Sequence, residues 1–84
     1  MFVTYVLYSE SHDRLYIGFT SNLIQRFYSH QYLATKGFTL RYRPWIVVEV
    51  RFHNDKKAAM KDEKFLKSGK GRSFIRNEVH TSYY

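Results

Sequence analysis

Cysteine is absent. That excludes a disulfide scaffold, a thiolate zinc site, a thiol nucleophile and an iron–sulfur cluster. It agrees with a reducing compartment, and a cytoplasmic location is the expectation. No apolar run approaches the ~20 residues that a membrane span needs. The opening MFVTYVLYSESHDR is short and lacks a basic leader, so it does not read as a signal peptide. Acids are scarce: 7 Asp+Glu face 14 Lys+Arg, a net charge of +7 at pH 7. Such an excess predicts a polyanionic partner, with nucleic acid the commonest and an anionic membrane surface the rival. There is no phosphate-cradling or dinucleotide-binding glycine loop and no hydrolase nucleophile elbow. His12, His30, His53 and His80 are scattered without ligand spacing, which argues against zinc.

What remains is an aromatic, basic chain. Its 84 residues include eight Tyr, seven Phe and one Trp, and 44% are hydrophobic. That length suits one domain that buries roughly 60–70% of its extended surface. Residues 1–79 are read as the domain and 80–84 as a frayed tail.

Phe2 to Tyr8 (FVTYVLY) and Leu15 to Phe19 (LYIGF) are β-branched and aromatic, so they read as a strand pair around a polar turn. A turn centred between residues 10 and 11 sets Tyr5 opposite Tyr16 and Val3 opposite Gly18. Thr4, Val6, Leu15 and Ile17 then share the other face. Asn22, three residues before Gln25, caps a helix over about Asn22 to Tyr32. Leu23 with Phe27, and Ile24 with Tyr28, form its inner face, with Arg26 and His30 beside them. Ala34 to Arg43 has no clear period, and Lys36-Gly37 suggests a turn. Arg43-Pro44 forces an extended approach to a third strand, Trp45 to Phe52, whose apolar start suits burial on both faces. Asn54-Asp55 caps a helix ending near Ser68-Gly69, and GRSFIRNEV is a weaker last helix. The order β-β-α-β-α-α predicts a small α+β domain: a three-stranded, mostly antiparallel sheet flanked by helices.

Charge is concentrated late in the chain. Arg51 to Arg76 holds nine basic residues against three acids. Lys57, Lys61 and Lys64 share one helix face, and Arg41 and Arg43 form a second cluster. Both read either as solvated surface or as contacts to phosphates. Glu63 sits at the margin of an apolar stripe of Ala59, Met60 and Leu66, where an unpaired charge is costly. The plainer explanation is an ion pair with Lys67 or Arg26. Tyr5 and Tyr16 share a face, and packing alone accounts for that.

Taken together, these residues carry a pattern. Val3-Thr4-Tyr5 is followed by Tyr16-Ile17-Gly18, with ten residues between the tyrosines. Arg26 comes ten residues after Tyr16, His30 four later, and Glu63 lies in AAMKDEKFLK. The set resembles the GIY-YIG endonuclease superfamily from about Phe2 to Ile75. It is most similar to small stand-alone members akin to the N-terminal nuclease domain of the excinuclease C subunit. TKGFTLRYRPWIVVEV is similar to that group as well. VTY stands in place of GIY, and Phe19 where some members carry Lys. Asn77 stands at a plausible distance for the family's supporting Asn.

The resemblance implies divalent-metal-dependent hydrolysis of DNA phosphodiesters, selective for structure rather than sequence, in repair or related DNA processing. The alternative is a catalytically weak or inactive nucleic-acid-binding module of the same fold. DNA is the implied partner, with no membrane and no small-molecule cofactor. One Mg²⁺ (or Mn²⁺) would be held by Glu63, since Mg²⁺ often takes one carboxylate and several waters. Arg26 would clamp phosphate oxygens, Tyr5 act as general base, Tyr16 position water or phosphate, and His30 relay a proton or bond a phosphate. Gly18 would allow close approach of backbone or substrate. A free phenol near pKa 10 is only about 0.1% ionised at pH 7, and Arg26 with the metal is expected to lower that pKa. Arg41, Arg43, Lys57, Lys61 and Lys64 would bind nucleic acid.

Overall fold

The structure, a computed structural model, describes residues 1–33 and 37–79. Lys36 of the expected turn and the expected 80–84 tail lie outside them. Strands β1 (Phe2–Ser9), β2 (Arg14–Thr20) and β3 (Ile46–His53) form one antiparallel sheet in the order β2-β1-β3. Helices α1 (Leu23–Tyr28), α2 (Phe38–Arg41), α3 (Lys56–Lys67) and α4 (Gly69–Phe74) flank it. The architecture is the expected α+β sheet with β-β-α-β-α-α order; α2 is a short addition in the stretch without period.

The central strand is β1, so it is the one buried on both faces, from Val3 to Ser9. The expectation gave that role to β3. β3 instead lies on a sheet edge, with Ile46, Val47 and Phe52 exposed, although Trp45 just before it is buried. A bulge beside Val6 and Leu7 lets Val48 turn inward and bury almost completely.

The β1–β2 register also differs from expectation. Tyr5 pairs with Gly18, Leu7 with Tyr16 and Val3 with Thr20. The turn is centred between residues 11 and 12, one later than expected, and includes Asp13 at φ 51°, which moves the pairing by two residues. A shift of two preserves the side-chain face. Val6, Tyr8, Leu15 and Ile17 therefore meet Val48, Leu66 and Ile75 on one side. Tyr5, Leu7 and Trp45 cluster on the other, covered by Tyr16, Leu23, Phe27 and Tyr42.

Local chemistry sets the helix ends. The Asn22 side chain accepts the Gln25 N–H at 3.1 Å and starts α1. Beyond Tyr28 the chain widens into a π-helical turn over Ser29–Leu33. Leu23 and Phe27 face the core as expected, but Ile24 and Tyr28 do not: they are 86% and 54% exposed. The inward stripe of so short a helix is one residue wide. Asp55 caps α3 through the Ala58 N–H at 2.8 Å. The buried Thr4 hydroxyl donates to the Ala59 carbonyl at 3.0 Å, fixing α3 to β1. Ser68, extended, ends α3 and accepts the Gly71 N–H at 3.2 Å to begin α4. A further π-helical turn covers Ile75–Val79. No helix among the described residues is long and apolar enough to cross a membrane.

Candidate active site

Four elements, β1, β2, α1 and the π-helical turn, bring Tyr5, Tyr16, Arg26 and His30 together on the Tyr5 face of the sheet. Tyr5 is 1% exposed. Its ring stacks on Tyr16 at 6.3 Å between centroids and 28° between planes. The π-helical turn carries His30 inward, where it is 6% exposed, with its ring 4.5 Å from that of Tyr16. The Tyr5 hydroxyl and His30 Nε2 are 2.9 Å apart. Arg26, on the exposed side of α1, acts on the hydroxyls of both tyrosines, that of Tyr5 most. A guanidinium thus influences two phenols, one of which contacts an imidazole.

Gly18 is explained by Tyr5. A Cβ on Gly18 would lie 2.5 Å from the Tyr5 hydroxyl oxygen and 2.7 Å from Cζ. The close approach expected at this glycine is that of the ring across the strand pair.

Burial is the largest influence on the Tyr5 hydroxyl and pushes its pKa up to about 12; the Arg26 hydrogen bond and charge oppose this, while Tyr16 and Glu63 add to it. The expected lowering by Arg26 is therefore outweighed. At pH 7 only about one Tyr5 in 10⁵ ionises unaided. His30 moves the other way for a base: burial, then the Arg26 charge, lowers its pKa below 6.5. At neutral pH the imidazole is uncharged, and one ring nitrogen carries a lone pair. With the proton on Nδ1, Nε2 accepts the Tyr5 O–H.

His30 has its own support. Arg43 Nε donates to the His30 carbonyl at 2.9 Å, and Gln31 Oε1 accepts the Trp45 N–H at 2.8 Å. Arg43 is therefore engaged in holding the π-helical turn, a role the sequence pattern did not reveal. Arg41 is exposed beside Tyr42.

Glu63 leaves α3 half-buried and pairs with Lys67 at 3.4 Å, one of the two partners expected. Its charge reaches the Tyr5 hydroxyl. Lys57, Lys61 and Lys64 are exposed and line, with Met60 and Glu63, an open concavity of about 470 Å³. The lysine face thus adjoins the carboxylate. Asn77 donates to the Ser73 hydroxyl at 3.2 Å. Among the described residues no three His, Cys, Asp or Glu side chains gather into a metal cage. A lone carboxylate beside open solvent suits Mg²⁺, which retains its waters, better than an ion needing an all-protein shell.

This constellation agrees with the comparison of the chain with known families. The profile of the GIY-YIG catalytic domain matches residues 1–77. No curated protein and no solved structure matches the chain. The profile spans nearly all of the 84 residues, and Tyr5, Tyr16, Gly18 and Arg26 of the motif meet in one place: the chain belongs to the GIY-YIG family, a family of nucleases.

Proposed function

We propose that this chain is a divalent-metal-dependent endonuclease that hydrolyses DNA phosphodiesters, selecting by shape rather than base sequence, in repair or related DNA processing. The observation that carries the reading is the 2.9 Å contact between Tyr5 and a neutral, buried His30 beneath Arg26.

Tyr5 is too weak an acid to work as a preformed phenolate. Joined to His30 it acts as a relay. Its oxygen takes the proton of the attacking water while its own proton passes to His30 Nε2. The buried phenol then never carries a full negative charge. Arg26 binds the non-bridging oxygens as charge grows on them, which is where a fixed guanidinium lowers the barrier most. Tyr16 orients water or phosphate beside Tyr5. Glu63 would hold one Mg²⁺ or Mn²⁺, and such an ion supplies charge neutralisation and help to the leaving oxygen. Lys57, Lys61 and Lys64 approach the same concavity and would hold flanking phosphates. Phosphate contacts position a duplex without reading bases, which supports shape selectivity.

The test is nicking of supercoiled plasmid and of branched DNA, with and without Mg²⁺. Cleavage that requires the ion, and falls roughly 10²–10⁴-fold in Tyr5→Phe, is expected for loss of a general base. A folded wild-type protein that cuts neither DNA would overturn the proposal.

A further inference from the structure

We infer that Arg14, Tyr42 and Arg41 form a second phosphodiester-binding point, which holds the nucleic-acid strand next to the reacting phosphate. The inference deepens the proposed function and rests on its nucleic-acid reading. Arg14 opens β2 two residues before Tyr16, so both project from the same face. The row Gly18, Tyr16, Arg14 advances about 6.7 Å per step along β2. That is comparable to the step between neighbouring phosphates on an extended strand.

The two guanidiniums converge on one ring. Arg14 Cζ lies 5.5 Å and Arg41 Cζ 5.4 Å from the Tyr42 centroid, within cation–π range. His12 meets the same ring edge-on at 5.2 Å. Tyr42 is itself packed on the cluster of Tyr5, Leu7 and Trp45. The ring is therefore a post fixed to the catalytic face, and it holds two cations brought together from distant parts of the chain.

Among the described residues neither arginine is ion-paired. Asp13, the nearest acid in sequence, is held by Arg76 at 3.0 Å and receives the Tyr8 hydroxyl at 3.1 Å. Arg14 donates only weakly, at 3.4–3.5 Å, to the carbonyls of Asp13 and His12. Two exposed like charges on one ring repel each other, and an anion between them relieves that repulsion. An open concavity of about 510 Å³, lined by Gly37, Leu40, Arg41 and Tyr42, adjoins the Arg41 member of the pair. A strand lying along β2 places one phosphate at Arg26 and the next toward Arg14 and Arg41.

The experiment is fluorescence anisotropy of labelled single-stranded and duplex DNA in EDTA, over a salt series, so that no cleavage is needed. Arg14→Gln/Arg41→Gln is compared with Lys56→Gln/Lys70→Gln, which removes the same charge elsewhere. Each lost phosphate contact lowers the slope of log affinity on log salt by about 0.9 for duplex and 0.7 for single strands. The arginine pair, which shares one phosphate, should therefore lose about 0.9 and 0.7, and the lysine pair much less. Arg41→Gln alone, losing about half as much, keeps the test decisive if the double variant melts. An unchanged slope, or equal losses in both pairs, overturns the inference. Wild-type protein that binds with the full slope yet never nicks DNA overturns the endonuclease reading and leaves this one standing.

Discussion

Gly18→Ala isolates the geometry on which the site depends. The new methyl would lie 2.5 Å from the Tyr5 hydroxyl oxygen, 2.7 Å from Cζ and 3.1 Å from Cε1. The far end of a tyrosine ordinarily swings aside, but this one is confined. Tyr16 stacks on it, His30 holds its hydroxyl, and the residue is 1% exposed. Forcing a methyl into such a space costs about 1–3 kcal/mol. For a domain of this size each kcal/mol lowers Tm by roughly 4–8 °C. The displaced ring also loses its alignment with His30, so the cleavage rate should fall at least 10²-fold, as for loss of a general base.

The cause is checked in a second background. Tyr5→Leu removes Cε1, Cζ and the hydroxyl oxygen, all three of the atoms in conflict. Adding Gly18→Ala to it should be neutral, or stabilising by about 0.5–1 kcal/mol, because glycine weakens a strand. Tyr5→Phe leaves Cζ at 2.7 Å and should keep most of the penalty. Urea denaturation of the single and double variants gives the coupling between positions 5 and 18. The expected value is about 1–4 kcal/mol. If Gly18→Ala costs the same whether residue 5 is Tyr or Leu, the ring is not what demands glycine, and the reasoning fails.

The remaining predictions concern charge. Glu63→Gln should abolish Mg²⁺-dependent nicking while DNA affinity, read by anisotropy, holds or rises; wild-type cleavage by the folded variant would remove Glu63 as the metal ligand. The rate should fall on the acid side only below pH 6.5, because burial and Arg26 hold His30 neutral beyond its ordinary range; His30→Gln should abolish that limb of the pH–rate profile. Stability follows the same groups. The folded state resists protonating His30, so stability drops as pH falls below 6.5, and it resists ionising Tyr5, so stability drops again between pH 10 and about 12; urea midpoints across pH report both limbs. Finally, Lys57→Gln/Lys61→Gln should reduce the duplex salt slope by about 1.8, whereas Arg43→Gln, losing its bond to the His30 carbonyl, should cost about 1 kcal/mol of stability and leave the slope nearly unchanged.

Much of the fold was legible because its signals are local. Asn22 and Asp55 are caps whose side chains reach an N–H three residues on, and each stands where its helix begins. Other features depend on the assembled sheet. FVTYVLY and WIVVEV look equally apolar, and only the strand order decides which is central and which an edge. Ile24 and Tyr28 have helical spacing with Leu23 and Phe27, yet α1 is covered along one stripe alone. Arg43 stands among the basic residues, and nothing in that pattern shows that its Nε also holds the carbonyl of His30, thirteen residues earlier. The direction of the Tyr5 pKa shift also depends on the assembled fold. Arg26 as a neighbour could be read from spacing, but not the depth of burial that outweighs it.

The membership of the site is the same in either register because side-chain direction in a strand has period two. Pairing that sums to 21 and pairing that sums to 23 both put Tyr5, Tyr16 and Gly18 on one face. What changes is who stands opposite whom. With Tyr5 opposite Tyr16 the two rings would meet side by side, and Gly18 would serve only the approach of substrate. With Tyr5 opposite Gly18, the ring lies across the glycine and reaches beyond β2, and Tyr16 stacks on it from the diagonal position, within reach for aromatic rings. That reach carries the hydroxyl to His30 and under Arg26. The tyrosine of the first strand and the glycine of the second are thus one structural unit: the glycine is the gap that lets the phenol reach His30.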